Sequence, residues 1–186
     1  MESSREKYER SLFEIFCREA RGHLPSLPSN EWEWLSIAQH HGLPTRLLDW
    51  SHNPLVALYF AVESNEAAEG KLFALHSVTK ASERVRGGSP FAIKRPVKFY
   101  PNIVSPRMGS QEGLFIVCSD AECPLDQSVR KDWSVDRFHI PATAKANIRY
   151  ELFRLGVHAS SLFPDIDGLA TRISWQHSVS PLCESG

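Results

Sequence analysis

Three pieces of helix punctuation between residues 30 and 54 constrain this chain more than any other feature. Asn30 stands before Glu31-Trp32-Glu33-Trp34 and is a strong N-cap, with Glu31 and Glu33 suited to the positive end of a helix dipole. Trp34, Ile37, Ala38 and His41 then recur at helical spacing, until Gly42 ends the helix and Pro44 prevents its return. A third helix opens at Pro54, capped by Ser51 or Asn53, and turns Leu55, Leu58, Tyr59 and Val62 inward. Two helices separated by a short polar segment, Thr45–Trp50, must bury their stripes against each other or against a sheet. The first expectation is that Trp34 and Ile37 pack with Leu55, Leu58 and Tyr59 beneath that segment.

Around this pair the pattern falls into three blocks. An earlier helix carries Leu12, Phe13, Ile15, Phe16 and Ala20, with Glu6, Lys7, Glu9, Arg10, Glu14 and Arg18 on its other face, and stops at Gly22. Strands are expected at Lys71–His76, Val97–Tyr100, Ile103–Ser105, Gly113–Cys118 and Val135–Ile140. Arg86–Pro90 reads as a mobile loop and Ser119–Trp133 as a long polar one. A helix follows Pro141 with Ala144, Ile148, Leu152 and Leu155 on one face, closed by Gly156. A helical turn at Ser160–Phe163 precedes a last helix to Trp175, capped by Asp165 or Asp167. Helices, then strands, then helices argue for an α+β fold with a small, mostly antiparallel central sheet rather than a doubly wound one. The length fits a single domain over residues 1–177 with a flexible tail at 178–186.

Composition narrows the function classes. A hydrophobic share of 42% and a charged share of 23% are ordinary for a globular domain, and the formal net charge is −1. No global basic field exists to hold a phosphate backbone, so non-specific nucleic-acid binding is not expected. The longest apolar run, Pro54–Val62, is far short of the roughly 20 residues of a membrane span. The N-terminus has no apolar signal-peptide core, so a cytoplasmic location is expected. Cys17, Cys118, Cys123 and Cys183 are scattered, without a C-x-x-C, and fit reduced thiols better than zinc ligands.

The densest chemistry is Gln39-His40-His41-Gly42-Leu43-Pro44-Thr45-Arg46-Leu47-Leu48-Asp49-Trp50, with two imidazoles, an amide, a hydroxyl, a guanidinium and a carboxylate in twelve residues. Gly42 lets the backbone approach a ligand closely. Adjacent helical His40 and His41 point about 100° apart, so no metal site is assigned to them. Arg46 and Asp49 are close in sequence and are expected to pair. A second candidate is Gly109–Phe115, a glycine-bracketed loop or hairpin turn from which Gln111 or Glu112 reaches a ligand. A third is Phe163–Gly168, where Asp165 and Asp167 are either paired carboxylates or helix caps.

Ala38–Trp50 followed by Asn53–Ala61 resembles the signature stretch of the FRG domain, and Gln111–Phe115 and Leu162–Ala170 are similar to later segments of that family. The likeness runs over about residues 9 to 175. The family's Phe/Tyr-Arg-Gly motif precedes the first helix and is absent from these 186 residues, since Arg21-Gly22 stands at the helix's far end. The order of the motifs is in turn similar to ADP-ribosyltransferases, in which an Arg or His anchors NAD and a late Glu steadies the oxocarbenium-like ribose. By that analogy the resemblance implies an ADP-ribosyltransferase-like fold with NAD as substrate, and ADP-ribosyl transfer or NAD glycohydrolysis in a toxin or phage-defence setting. Gln39, His40 and Arg46 would position the dinucleotide beside Gly42. Thr45 and Asp49 would brace the loop, and Gln111 or Glu112 would face the ribose. The alternatives are a non-catalytic module that binds a nucleotide or a protein, and an inactive subunit completed by a partner chain.

Overall fold

The computed structural model describes residues 4–64, 67–77, 83–102, 106–119, 125 and 132–179. Its elements are α1 (Ser4–Glu19), α2 (Glu31–His40), β1 (Leu47–Ser51), α3 (Pro54–Glu63), β2 (Gly70–His76), α4 (Glu83–Arg86), β3 (Val97–Phe99), α5 (Pro106–Ser110), β4 (Gly113–Val117), β5 (Ser134–Ile140), α6 (Ala142–Arg154), α7 (Ala159–Leu162) and α8 (Ile166–Val179). The fold is α+β. The strands form a three-stranded sheet in the order β1-β4-β3 and a two-stranded sheet of β2 and β5. Strands β3 and β4 are antiparallel, with Lys98 opposite Ile116. Cys118 N donates to Arg46 O and His52 N to Glu112 O, so β1 also runs antiparallel to β4.

Two compact units share these elements. The first comprises Met1–Trp50, Leu75–Asn102 and Leu114–Val135; the second comprises Ser51–Ala74, Ile103–Gly113 and Asp136–Gly186. Each has its own core. In the first unit Phe13, Trp32, Trp34, Leu35, Leu47, Phe99, Phe115 and Val117 are buried together, and Ile116, Cys118 and Trp133 form a smaller cluster. In the second, Val56, Tyr59, Val62, Ile140, Leu152, Ala159 and Leu162 are buried, with Leu55, Leu58, Ala144 and Ile148 packed on them. The expected joint packing of α2 with α3 is therefore corrected. Trp34 enters one core, while Leu55, Leu58 and Tyr59 enter the other. Thirteen residues, 41–53, separate the two helices, and the five of β1 among them are extended.

Most of the punctuation acts as expected. The Asn30 side chain accepts from Glu33 N, and Asn53, with Pro54 behind it, accepts from Leu55 N. Asp165 Oδ1 accepts from Gly168 N, so Asp165 is a cap of α8. The loop expected at Arg86–Pro90 is present as residues 87–89, which join α4 to a Ser89-capped helical turn at Pro90–Ala92, and Trp32 Nε1 donates to Gly88 O at 2.7 Å. Two expectations are corrected. Gly109–Phe115 is not a hairpin, because α5 ends at Ser110 and the two-residue turn Gln111-Glu112 leads from it into β4. Glu9, expected on the outer face of α1, is buried. The expected strand Ile103–Ser105, residues 126–131, the end of the tail, Cys123 and Cys183 lie outside the described residues. Cys17 and Cys118 form no disulfide among the described residues, and no described helix is long and apolar enough to cross a membrane.

Candidate functional site

The polar segment after α2 is built on a helix terminus. Gly42 has φ +84°, a left-handed conformation that a side chain would strain. Gly42 N donates to Gln39 O and Leu43 N to Ala38 O, which is the paired bonding of a Schellman terminus. From the last turn of α2, Gln39 reaches across the loop it opens. Its Nε2 donates to Asp49 Oδ2 at 2.6 Å, and its Oε1 accepts from Thr45 Oγ1 at 2.6 Å. Thr45 Oγ1 in turn accepts from Leu47 N. One amide thus ties the helix end to the loop and to β1. The His40 and His41 rings meet edge to face, 5.1 Å between centroids.

Arg46 departs from the expected pairing with Asp49. Its Nε donates to both carboxylate oxygens of Glu9 at 3.2 and 3.1 Å, and its Nη2 to Glu9 Oε2 at 2.8 Å. Arg46 N adds a backbone bond to Glu9 Oε1. The two side chains are 1% and 8% exposed. The guanidinium also lies over the Phe91 ring, 4.8 Å from its centroid, and Nη1 is buried without a hydrogen-bond partner. Extended backbone turns residues three apart to opposite faces, whereas a helix would bring them together. Asp49 accordingly stays exposed and takes Gln39 as its partner.

Gln111 and Glu112 belong to the second unit, and there the three family-like segments meet. Ser51 Oγ donates to Gln111 O at 2.8 Å. His52 N donates to Glu112 O, and Asn53 Nδ2 to Glu112 Oε1 at 3.1 Å. The Gln111 side chain donates to Leu162 O at 3.3 Å, at the end of α7. Glu112 is the one described non-glycine residue with positive φ, at +46°. A β-carbon there costs about 1–2 kcal/mol, and such strain persists only where neighbours over-determine it. Its carboxylate is exposed and carries the Asn53 bond. Arg107, one turn back on α5, lies over the Phe163 ring at 4.5 Å, and its Nε is buried without a partner. Arg107 was not singled out by the sequence, and Phe163 entered only as the start of the Phe163–Gly168 segment; their stacking depends on α5, which was not expected.

A separate crevice in the second unit was also not anticipated. Tyr59, Arg149, His158, Thr171, Arg172 and Trp175 line it. His158 Nδ1 accepts from Ser161 N at 3.0 Å and so caps α7. Burial, and then the Arg172 charge, hold the His158 pKa below its ordinary value. Burial, followed by the negative charge of Glu63, pushes the Tyr59 hydroxyl up to about 12. No group of three or more His, Cys, Asp or Glu among the described residues is arranged to hold a metal ion. Burial also raises the Cys17 thiol to about 11, which makes it a poor nucleophile near neutral pH.

No curated protein and no solved structure matches this chain. Gln111–Phe115 and Leu162–Ala170 lie beyond the part that a family model matches. That part comprises α1, α2, β1 and α3, with the Gln39 brace and the Arg46–Glu9 pair inside it. It is residues 1–70, and the family they match is the FRG domain, which Ala38–Ala61 resembles.

Proposed function

We propose that the corner around Glu112 is a nucleotide-handling site, and that its chemistry is ADP-ribosyl transfer from NAD or NAD glycohydrolysis. The observation that carries the reading is the strained Glu112, held between Asn53 and the Gln111 turn. In the reaction the bond from ribose C1′ to nicotinamide breaks and the ring leaves with the electron pair. The sugar becomes oxocarbenium-like, and water or an acceptor hydroxyl adds to C1′ and releases a proton. A fixed carboxylate stabilises the developing positive charge. Arg107, stacked on Phe163, is the cation suited to the diphosphate. A toxin or phage-defence setting is the context proposed for such an activity.

The test is incubation of the whole chain with NAD labelled in the nicotinamide ring. Free nicotinamide should form, and Glu112→Gln should reduce it by about a hundredfold, the scale of losing one transition-state electrostatic contact. No release above buffer, or equal release by Glu112→Gln, would count against it. A second reading, a non-catalytic module for a nucleotide or a protein, is favoured by Arg46. The guanidinium proposed to anchor NAD is buried against Glu9, and Gln39 is bound at both ends of its amide. Saturable NAD binding without nicotinamide release would support that reading.

A further inference from the structure

Phe60 is a large aromatic side chain that the core of the second unit leaves out. Val56, Tyr59 and Val62 on the same helix are buried, whereas Phe60 is 42% exposed. A single exposed apolar residue needs no explanation by itself. The neighbours of this one set it apart. The Phe60 and Phe163 rings meet edge to face, 6.1 Å between centroids, and the Arg107 guanidinium lies over Phe163 at 4.5 Å. Among the described residues no carboxylate pairs with that guanidinium, and its Nε is buried without a hydrogen-bond partner. Asp165, two residues past Phe163, is turned to the α8 terminus, where it accepts from Gly168 N. The guanidinium and the Phe60 ring are no farther apart than the two measured separations placed end to end, which is within reach of one adenosine diphosphate.

Helix α3 relates this row to Glu112. Asn53, its N-cap, holds the Glu112 carboxylate, and Phe60 stands two turns further along. At 1.5 Å per residue the two positions are about 10 Å apart along the axis. A second link runs through α5: Arg107 stands on Phe163, and the turn that follows α5 supplies Glu112. Carboxylate and exposed ring thus lie at two ends of α3, with the guanidinium tied to both. A dinucleotide has the same order: a ribose whose C1′ reacts, a diphosphate, and a base at the far end. We propose that Phe60 is the platform on which the adenine base of the dinucleotide stacks, so that the ADP half lies along α3 with its diphosphate on Arg107. The assignment rests on the reading of the Glu112 corner as a nucleotide-handling site. An exposed aromatic ring suits a base because every base has a π-face, and stacking needs no hydrogen-bond partner.

The experiment is isothermal titration calorimetry of the full chain with ADP and, separately, with inorganic pyrophosphate. ADP should bind at least about tenfold more tightly, the scale of one base stacked on one aromatic ring. Phe60→Leu should remove that advantage and leave pyrophosphate affinity unchanged, with circular dichroism showing that the variant keeps its helices. Phe60→Trp, which retains a stacking face, should retain the advantage. Arg107→Gln should weaken both ligands at least about tenfold, the scale of a charge-assisted bond. Absence of ADP binding, ADP binding no tighter than pyrophosphate, or a Phe60→Leu or Arg107→Gln chain that binds ADP as the unaltered one does would overturn the assignment. Nicotinamide release from NAD, measured on the same preparations, separates this result from the reaction. Release with an ADP affinity indifferent to Phe60→Leu overturns the adenine platform and leaves the Glu112 chemistry standing. An ADP affinity that falls with Phe60→Leu, without release, supports the platform and counts against that chemistry.

Discussion

Removing the Glu9 carboxylate should be among the most damaging single changes to the first unit. The carboxylate receives four hydrogen bonds from Arg46: one from the backbone N, two from Nε and one from Nη2. At 1% and 8% side-chain exposure neither charge has water to fall back on. Breaking a pair this buried from one side costs about 3–5 kcal/mol, because the remaining ion is left uncompensated. The cation–π contact with Phe91 does not replace it, since such contacts contribute about 0.5–2 kcal/mol and are already present. Glu9→Ala should therefore lose about 3–5 kcal/mol in urea unfolding, or about 6–20 °C in melting temperature for a chain of this size. Glu14→Ala, on the exposed face of the same helix, is the control, and it should fall within about 0.5 kcal/mol. A double variant, Glu9→Leu with Arg46→Met, removes both charges and should lose less than Glu9→Ala alone. The reasoning fails if Glu9→Ala proves no more costly than Glu14→Ala, for then Arg46 has found water or another partner.

Asp49→Ala should cost less than about 1 kcal/mol, because it removes one exposed bond to Gln39 and not a buried ion partner; urea titration beside Glu9→Ala gives the order. Gly168→Ala should destabilise by about 1–3 kcal/mol or more, since a β-carbon there would stand 1.9 Å from the Phe163 carbonyl oxygen, and a thermal melt reads it. The His158 pKa is lowered in the fold, so its contribution is present above the unfolded value near 6.5 and lost as pH falls from there through the folded pKa. His158→Asn keeps a capping acceptor that does not titrate in this range, so stability measured between pH 7.5 and about pH 5 should lose that part of its slope; an unchanged slope would assign the titration to another group.

What the sequence disclosed was local. Asn30, Gly42, Asn53-Pro54 and Asp165 act on backbone groups within a few residues of themselves, so residue type and spacing were enough to assign them. What it withheld depends on partners far along the chain. Glu9 and Arg46 are 37 residues apart, and only the fold brings them together. A trace was nevertheless present. Glu9, Phe13, Cys17 and Ala20 lie on one helical stripe at i, i+4, i+8 and i+11, and a carboxylate within an apolar stripe calls for a buried cation. Arg46 was chosen as a ligand anchor from the company it keeps in sequence, and such proximity says nothing about which way an extended chain turns its side chains. The α4 and α5 segments escaped for another reason. Each has five or fewer residues, too short for a 3.6-residue period to stand out from glycine and proline.

The same distinction bears on where chemistry can reside. A polar residue bonded at every polar atom to its own scaffold is a brace, and Gln39 meets that description with Thr45 and Asp49. Braces matter to a site by holding geometry, so their loss should move stability and activity together. Residues held in an unfavourable state are different, because nothing local rewards the strain. Glu112 bears a left-handed backbone, and Arg107 a buried Nε without a partner. Both belong to the second unit. The crowded segment Gln39–Trp50 drew notice in the sequence, but its side chains are largely committed to folding the first unit. By this argument, substitutions at Glu112 and Arg107 are the ones that should separate function from stability.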